Sequence, residues 1–342
     1  MNWSELDTWI VITGALICLA CALPGAFLML NRQSMLGDGI SHAVLPGLAI
    51  AFLLTNSRDI LPMVAGAVIA GVLTAMLTQV VQRFGQVESG AALGVVFCGL
   101  FAIGLILIRV ASDKVDLDAD CVLYGSIETA VVDVNRVPRV ALISGGLLLV
   151  NALLTLLFYK ELRLAAFDPA LATTLGFNAD AIRLGLTLVA SVTTVLAFES
   201  VGSILVIAML VVPAATASLL TRKLHWLLAL ALLFAAASAV LGHIGAITLP
   251  RMVGSLLGQP NLGATSSAAM MAVVAGVLFL LAGTFSVLRQ SGGKPRSSPP
   301  VKVPSPLEAG PAPSPAAPPR HARKNTVSAG PNIGLGSPPE LL

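Results

Sequence analysis

The chain has 342 residues, of which 56% are hydrophobic and 11% are charged, and its mean hydropathy is +0.90. This composition excludes a water-soluble protein of this size and indicates many segments embedded in a lipid bilayer. The formal net charge of +3 arises after residue 289, where 6 Lys and Arg accompany 2 Asp and Glu, so the membrane part carries no excess of basic residues for a nucleic-acid partner.

Apolar runs long enough to cross a bilayer recur along the chain without two-residue alternation, which favours an all-α polytopic membrane fold over a β-barrel. The run at 184–220 is too long for one helix, and we expect it to break between Glu199 and Ser203. Split there, the chain has nine spans, with eight as the alternative. The windows are 9–30, 35–54, 60–81, 90–110, 140–158, 184–220 in two parts, 225–247 and 264–288.

Basic residues indicate the orientation of these spans in the membrane. More of them fall on the side that holds the C-terminus, which the positive-inside rule predicts to be cytoplasmic, with the N-terminus outside. The first nine residues are acidic and have no basic region, so we expect the first span to be an anchor and not a cleaved signal. The basic residues on the predicted cytoplasmic side are Arg32, Arg83, Lys160, Arg163, Arg183, Arg222, Lys223 and Arg289.

The second span, Met35 to Leu54, carries the most informative pattern, MLGDGISHAVLPGLAIAFLL. Asp38 and His42 are four residues apart, so a helix places them on one face. Pro46 is expected to kink the helix and to leave the carbonyl of His42 without its usual hydrogen bond. A charge inside a bilayer costs about 2.5–3.5 kcal/mol, so it is kept where it lines a polar cavity or has a function. The pattern indicates a path for a divalent cation; alternatively, the two side chains only bind each other or a neighbouring helix.

Glu199 is the ionisable residue of the run at 184–220 and is a candidate third metal ligand. The alternative is a turn residue at the outer surface. Counting residues from the span ends places Asp38 and His42 in the inner half of the membrane and Glu199 near its outer end. On that count they meet only if one of the helices is interrupted within the membrane.

Residues 159–183 form a long connection on the predicted cytoplasmic side. Asp168 is a candidate N-cap, Pro169 suits the first helical position, and Gly176 suits the position just past the helix end. These residues predict a short capped helix at the inner face of the membrane. Such a helix can dock into a groove of a partner protein.

Other polar residues are expected to be structural. The loop at 111–136 contains Asp113, Asp116, Asp118 and Asp120; we expect an ordinary solvated loop, with an acidic mouth that attracts cations as the alternative. His243 is expected at the surface near an outer turn. Cys18 and Cys21 lie inside the first span and are expected to be buried small hydrophobes.

The chain changes character near residue 290. Thirteen of its 21 prolines lie in 290–342, which is typical of a disordered segment. The expected organisation is a transmembrane domain at 1–289 and a Pro-rich cytoplasmic tail at 290–342.

Four stretches, in this order, resemble the zinc, manganese and iron ABC transporter permeases known as the ABC-3 family, and the resemblance covers about residues 8–288. The stretches are MLGDGISHAVLPGLAIAFLL, DLDADCVLYG, FDPALATTLG and ESVGSILVIAMLVVPAATASLLT.

The resemblance implies a membrane subunit of an ATP-driven importer of manganese, zinc or iron in the prokaryotic plasma membrane, with no permanently bound cofactor. It implies four kinds of partner: an ABC ATPase subunit, a metal-binding solute-binding protein, a second permease subunit that is identical or homologous, and the lipid bilayer. Asp38 and His42 resemble metal-contacting residues of the family, and Glu199 resembles a position that is acidic only in some members. The residues that resemble the coupling helix are Asp168, Pro169, Ala170, Leu171 and Gly176.

The ligand chemistry agrees with this family. A carboxylate and an imidazole without a thiolate suit manganese, iron or zinc and disfavour copper(I). Some members have an acidic residue where this chain has Gly37, so the ligand set leaves the choice of metal open. The sequence contains no Walker A motif, so ATP hydrolysis is expected from a separate subunit.

Two alternatives belong to other classes of protein. The first is an ion-coupled secondary metal transporter that works alone. The second is an intramembrane hydrolase, which the sequence disfavours because it has neither an H-E-x-x-H nor a G-x-S-x-G motif.

Overall fold

The computed structural model describes residues 3–55, 60–112, 127–131, 138–256 and 265–291. Every regular element in these ranges is a helix. Nearly all of the predicted tail lies outside the described residues, and so do the loop residues Asp113, Asp116, Asp118 and Asp120.

Nine helices of the described ranges are long and apolar enough to cross a membrane, which confirms the nine-span prediction over this part of the chain. They are α1–α4, α6 and α9–α12; the other three are short. The helices are α1 (Glu5–Leu30), α2 (Leu36–Thr55), α3 (Ile60–Gly85), α4 (Ser89–Ser112), α5 (Ile127–Ala130), α6 (Arg139–Leu157), α7 (Tyr159–Phe167), α8 (Pro169–Thr174), α9 (Ala179–Val201), α10 (Ser203–Leu220), α11 (Leu224–Leu256) and α12 (Ser267–Ser291).

Local sequence determines several helix ends. Ser4 Oγ accepts a hydrogen bond from the Asp7 amide at 3.2 Å, and the Asp7 carboxylate accepts one from the Ser4 amide at 2.8 Å. This capping box begins α1. The long apolar run divides at Gly202, whose φ of 83° suits glycine, so the predicted break between Glu199 and Ser203 is confirmed.

Helix α1 is the centre of the bundle and packs against α6, α9, α10 and α11. Gly25 allows the closest approach, because a Cβ atom at this position would overlap the carbonyl oxygen of Leu210 in α10. Small residues let membrane helices pack backbone to backbone in this way. Cys18 and Cys21 are fully buried in the same helix, as expected for small hydrophobes.

A buried amide ties α1 to two other helices. Asn151 of α6 is 2% exposed, and its Nδ2 donates to the Ala20 carbonyl of α1 and to Thr193 Oγ1 of α9, each at 2.9 Å. Interhelical hydrogen bonds of this kind hold membrane helices in a specific register.

Helix α2 packs between α3 and α4 and is held by glycine contacts. A Cβ atom on Gly39 would lie 2.7 Å from Leu93 Cδ1, and one on Gly104 would lie 2.8 Å from Pro46 Cδ. The earlier residue of α2 contacts the earlier residue of α4 and the later contacts the later, so the two helices run parallel. The face of α2 that contains Gly39 and Pro46 adjoins α4.

The structure corrects the expectation for His243, which is buried and only 2% exposed. The physical reason is that α11 continues to Leu256, so His243 lies inside a helix and not at a turn. Its Nδ1 lies 3.1 Å from Ser267 Oγ at the start of α12, and its Nε2 lies 3.4 Å from Asp7 Oδ1 at the start of α1. These contacts join α11 to the starts of α1 and α12.

Candidate metal site

Asp38 and His42 lie on one face of α2, as their spacing predicts. The Nε2 atom of His42 is 3.5 Å from Oδ1 of Asp38. Two ligands of a tetrahedral ion with bonds of about 2.1 Å lie about 3.4 Å apart. The pair therefore already has the separation at which one divalent cation can contact both side chains.

The pair is open on one side. The side chain of Asp38 is 51% exposed and that of His42 is 32% exposed in the single chain. A cation or a further ligand can therefore approach the pair from outside this chain.

The other side of His42 is closed by two aromatic rings of α4. The ring centroids of His42 and Phe101 are 5.7 Å apart with the planes at 78°, and those of His42 and Phe97 are 6.1 Å apart at 32°. The Nδ1 atom of His42 is buried and has no hydrogen-bond partner among the described residues. The imidazole is thus held by aromatic contacts on its buried side and faces Asp38 on its open side.

Packing against α10 places the first turn of α2 deep in the bundle. A Cβ atom on Gly37 would lie 2.7 Å from Leu210 Cδ2, and Leu210 lies near the middle of α10. Asp38 therefore lies at the level of the middle of α10. The same Leu210 also lies against Gly25, five residues before the end of α1, so the position in the inner half of the membrane obtained by counting residues stays a prediction.

A glycine of α3 shows which part of α9 lies level with the pair. A Cβ atom on Gly71 would lie 3.3 Å from Ile40 Cγ2 and 3.4 Å from Val195 Cγ2. Ile40 lies between Asp38 and His42, and Val195 lies in the second half of α9.

Glu199 lies one helical turn beyond Val195, in the last turn of α9. Because α2 and α9 are the second and sixth spans they run in the same direction, so the Glu199 backbone lies only about 3 Å along the helix axis beyond the level of His42. No interruption of α2 or α9 is needed to bring them to similar depth. The side chain of Glu199 is outside the described part, so its role as a third ligand stays a prediction. No three His, Cys, Asp or Glu side chains form a metal-binding group within the described ranges.

Pro46 lies inside α2 and packs against Gly104 of α4. The expected loss of the hydrogen bond to the His42 carbonyl follows from proline chemistry, and it stays a prediction.

The connection between α6 and α9 contains the predicted capped helix, α8. Asp168 Oδ1 accepts a hydrogen bond from the Leu171 amide at 2.9 Å, and Pro169 occupies the first turn. Gly176 has a φ of 88° just past the helix end. The predicted local structure is therefore confirmed, because each residue occupies the position that its chemistry favours.

The surface around α8 is apolar and basic. Phe167, Leu171 and Leu175 are exposed, and they line a groove of about 960 Å³. Its walls contain the basic side chains of Lys160, Arg163, Arg222 and Lys223. Exposed apolar groups beside basic groups are typical of a surface that another protein covers.

Sequence reasoning missed two features of these sites. Phe97 and Phe101 are one turn apart on α4, which is a weak signal in an apolar helix, and only packing shows that both contact His42. The link between α10 and α11 brings Arg222 and Lys223 to the groove beside α8, from a distant part of the chain.

Comparison with known proteins identifies relatives over most of the chain. The model of the ABC 3 transport family matches residues 4–286. The chain is 38% identical to the manganese transport system membrane protein MntD of Bacillus subtilis, over 84% of this chain and 100% of that protein. It is 39% identical to the zinc transport system membrane protein TroD of Treponema pallidum, over 81% of this chain and 73% of that protein.

A solved structure has the same fold. PsaBC from Streptococcus pneumoniae, determined in complex with a Fab, superposes with a TM-score of 0.64 at 28% identity. The match covers 84% of this chain and 96% of that one.

Proposed function

The chain belongs to the ABC 3 transport family, as the membrane subunit of an ABC importer for manganese, zinc or iron, and from this premise we propose that Asp38 and His42 contact the metal ion during its passage. The distance of 3.5 Å between Nε2 and Oδ1 carries the proposal. An imidazole and a carboxylate are suitable ligands for all three metals. With two ligands from one chain, the site can bind an ion and still release it.

A second permease subunit, identical or homologous, covers the open side of the pair. The Asp38 side chain is 51% exposed in the single chain, and a carboxylate against lipid costs about 2.5–3.5 kcal/mol. A facing subunit removes this cost and supplies a second set of ligands to the same ion. Glu199 is the candidate for one further ligand from each chain.

An ABC membrane subunit works with ATPase and binding-protein partners and is not itself an ATPase. Helix α8, with Asp168, Pro169, Ala170, Leu171 and Gly176, is proposed as the coupling helix that contacts the ATPase subunit. Its exposed apolar side chains and the basic groove beside them support this assignment. A metal-binding solute-binding protein delivers the ion to the opposite face.

The chain is a multi-pass membrane protein of a bacterial ABC transporter. We place the N-terminus outside, and α8 and the C-terminus in the cytoplasm, because basic residues are more frequent on that side. The transmembrane domain then ends near residue 289, and the Pro-rich tail at 290–342 lies in the cytoplasm.

Uptake by the reconstituted transporter tests the proposed function. Liposomes that contain the permease and its ATPase are expected to accumulate manganese, zinc or iron when ATP and the loaded binding protein are supplied. The three metals are compared in parallel by isotope or element analysis. Equal uptake by liposomes that contain this chain without the ATPase would instead indicate a secondary transporter.

Loss of the cap on α8 is expected to weaken coupling to ATP hydrolysis. An N-cap contributes about 1 kcal/mol, so Asp168→Ala should lower ATP-driven uptake and co-purification of the ATPase about fivefold. Asn178→Ala is the matched control, because Asn178 caps α9 by the same type of bond, to the Ala181 amide at 3.1 Å. If both variants lose the same activity, α8 has no special role.

A further inference from the structure

His42 lacks the hydrogen bond that usually orients a metal-binding histidine. A histidine that binds a metal through one ring nitrogen normally donates the other N–H to a carboxylate, a carbonyl or a water. Here Nε2 faces Asp38, and Nδ1 is buried without a hydrogen-bond partner among the residues that the structure describes. Because Nδ1 is inaccessible, neither solvent nor a second subunit can reach it without a rearrangement of this chain.

Two phenylalanines of α4 pack against the imidazole ring of His42. Phe97 and Phe101 are one turn apart on α4, and both contact the imidazole. The contact of Gly39 with Leu93 below them and that of Gly104 with Pro46 above them hold α4 against α2. The two rings are therefore held in place and restrict the rotation of the imidazole.

Given the proposed metal-ligand role of His42, we infer that Phe97 and Phe101 are positioning residues that orient its imidazole by aromatic contact in place of a hydrogen bond. An aromatic face accepts an N–H only weakly, so the rings fix the orientation without making Nε2 a stronger ligand. Outer hydrogen-bond partners of this kind change metal affinity by about 10–100-fold. Their absence keeps the site weak enough for release, which a transport site requires.

Uptake kinetics of the complete transporter test this role. In the double variant Phe97→Leu/Phe101→Leu, the imidazole loses both rings, and we expect the KM for the metal to rise about tenfold with a smaller change in maximal rate per assembled complex. Phe101→Tyr keeps the ring and should restore the KM. Phe101→Gln offers an acceptor beside the imidazole and should lower both the KM and the maximal rate, because the ion is released more slowly.

Phe285→Leu is the matched control, because Phe285 is an exposed ring on α12 that makes no ring contact with His42 among the described residues. An unchanged KM in the double variant, or a fall in assembled complex without a change of KM, would overturn the positioning role. His42→Ala separates this result from failure of the proposed function. If His42→Ala abolishes uptake while the double variant is normal, only the positioning role is wrong; if both are normal, the metal-ligand role is wrong as well.

Discussion

Asp38→Asn is expected to lower metal uptake per assembled complex by about 100-fold or more. The variant keeps the shape of the side chain but removes the negative charge that attracts a divalent cation within the membrane-spanning part. Loss of the hydrogen-bond partner of a metal-binding side chain already lowers metal affinity by about 10–100-fold. Loss of an anionic metal ligand itself should lower it at least as much. His42→Ala is expected to have an effect of the same size, because the pair contacts one ion. The measurement is ATP-driven uptake in liposomes, normalised to the amount of complex.

The chain offers a matched control for this experiment. Asp7 and His243 form a second acid–histidine pair in the described part, with Oδ1 and Nε2 3.4 Å apart. Asp7 lies at the start of α1 and His243 lies in the C-terminal half of α11, so the pair links these two helices. Asp7→Asn should leave uptake per complex unchanged, since this pair links α11 to the start of α1 and is expected to contact no transported ion. Similar losses in Asp7→Asn and Asp38→Asn, or normal uptake in both Asp38→Asn and His42→Ala, would contradict the assignment.

Gly25→Ala is expected to prevent correct assembly of the bundle. The new Cβ atom would overlap the carbonyl oxygen of Leu210, and a backbone atom cannot rotate away as a side chain can. Overpacking costs about 1–3 kcal/mol where side chains can adjust, so we expect about 3 kcal/mol or more here. The thermal stability of the purified protein in detergent and the yield of folded protein measure this effect.

Gly276→Ala is the control for this prediction. Gly276 also lies in a membrane-spanning helix, but a Cβ atom there would meet nothing within 4 Å. Its yield and thermal stability should match those of the unchanged chain. If Gly25→Ala is as stable as Gly276→Ala, then α1 and α10 do not approach as closely as the structure indicates.

The spacing of residues along the chain was sufficient to predict features that depend on neighbouring residues. Asp38 and His42 share a face because four residues make about one turn of a helix. Asp168 and Gly176 mark the ends of a short helix because each suits its terminal position. Gly202 divides the long apolar run because it has the positive φ that glycine tolerates.

Hydropathy and short-range spacing thus determined the nine spans over the described ranges, the acid–histidine pair and the capped helix, because these depend on local geometry and on transfer from water. Only the tertiary structure decided which helices surround the pair, the aromatic contacts of His42 and the burial of His243. These depend on which helices meet and at what height, and close approaches such as that of Gly37 to Leu210 join residues far apart in the chain. Hydropathy carries no information about such pairs, since every apolar face is equally compatible with lipid and with another helix.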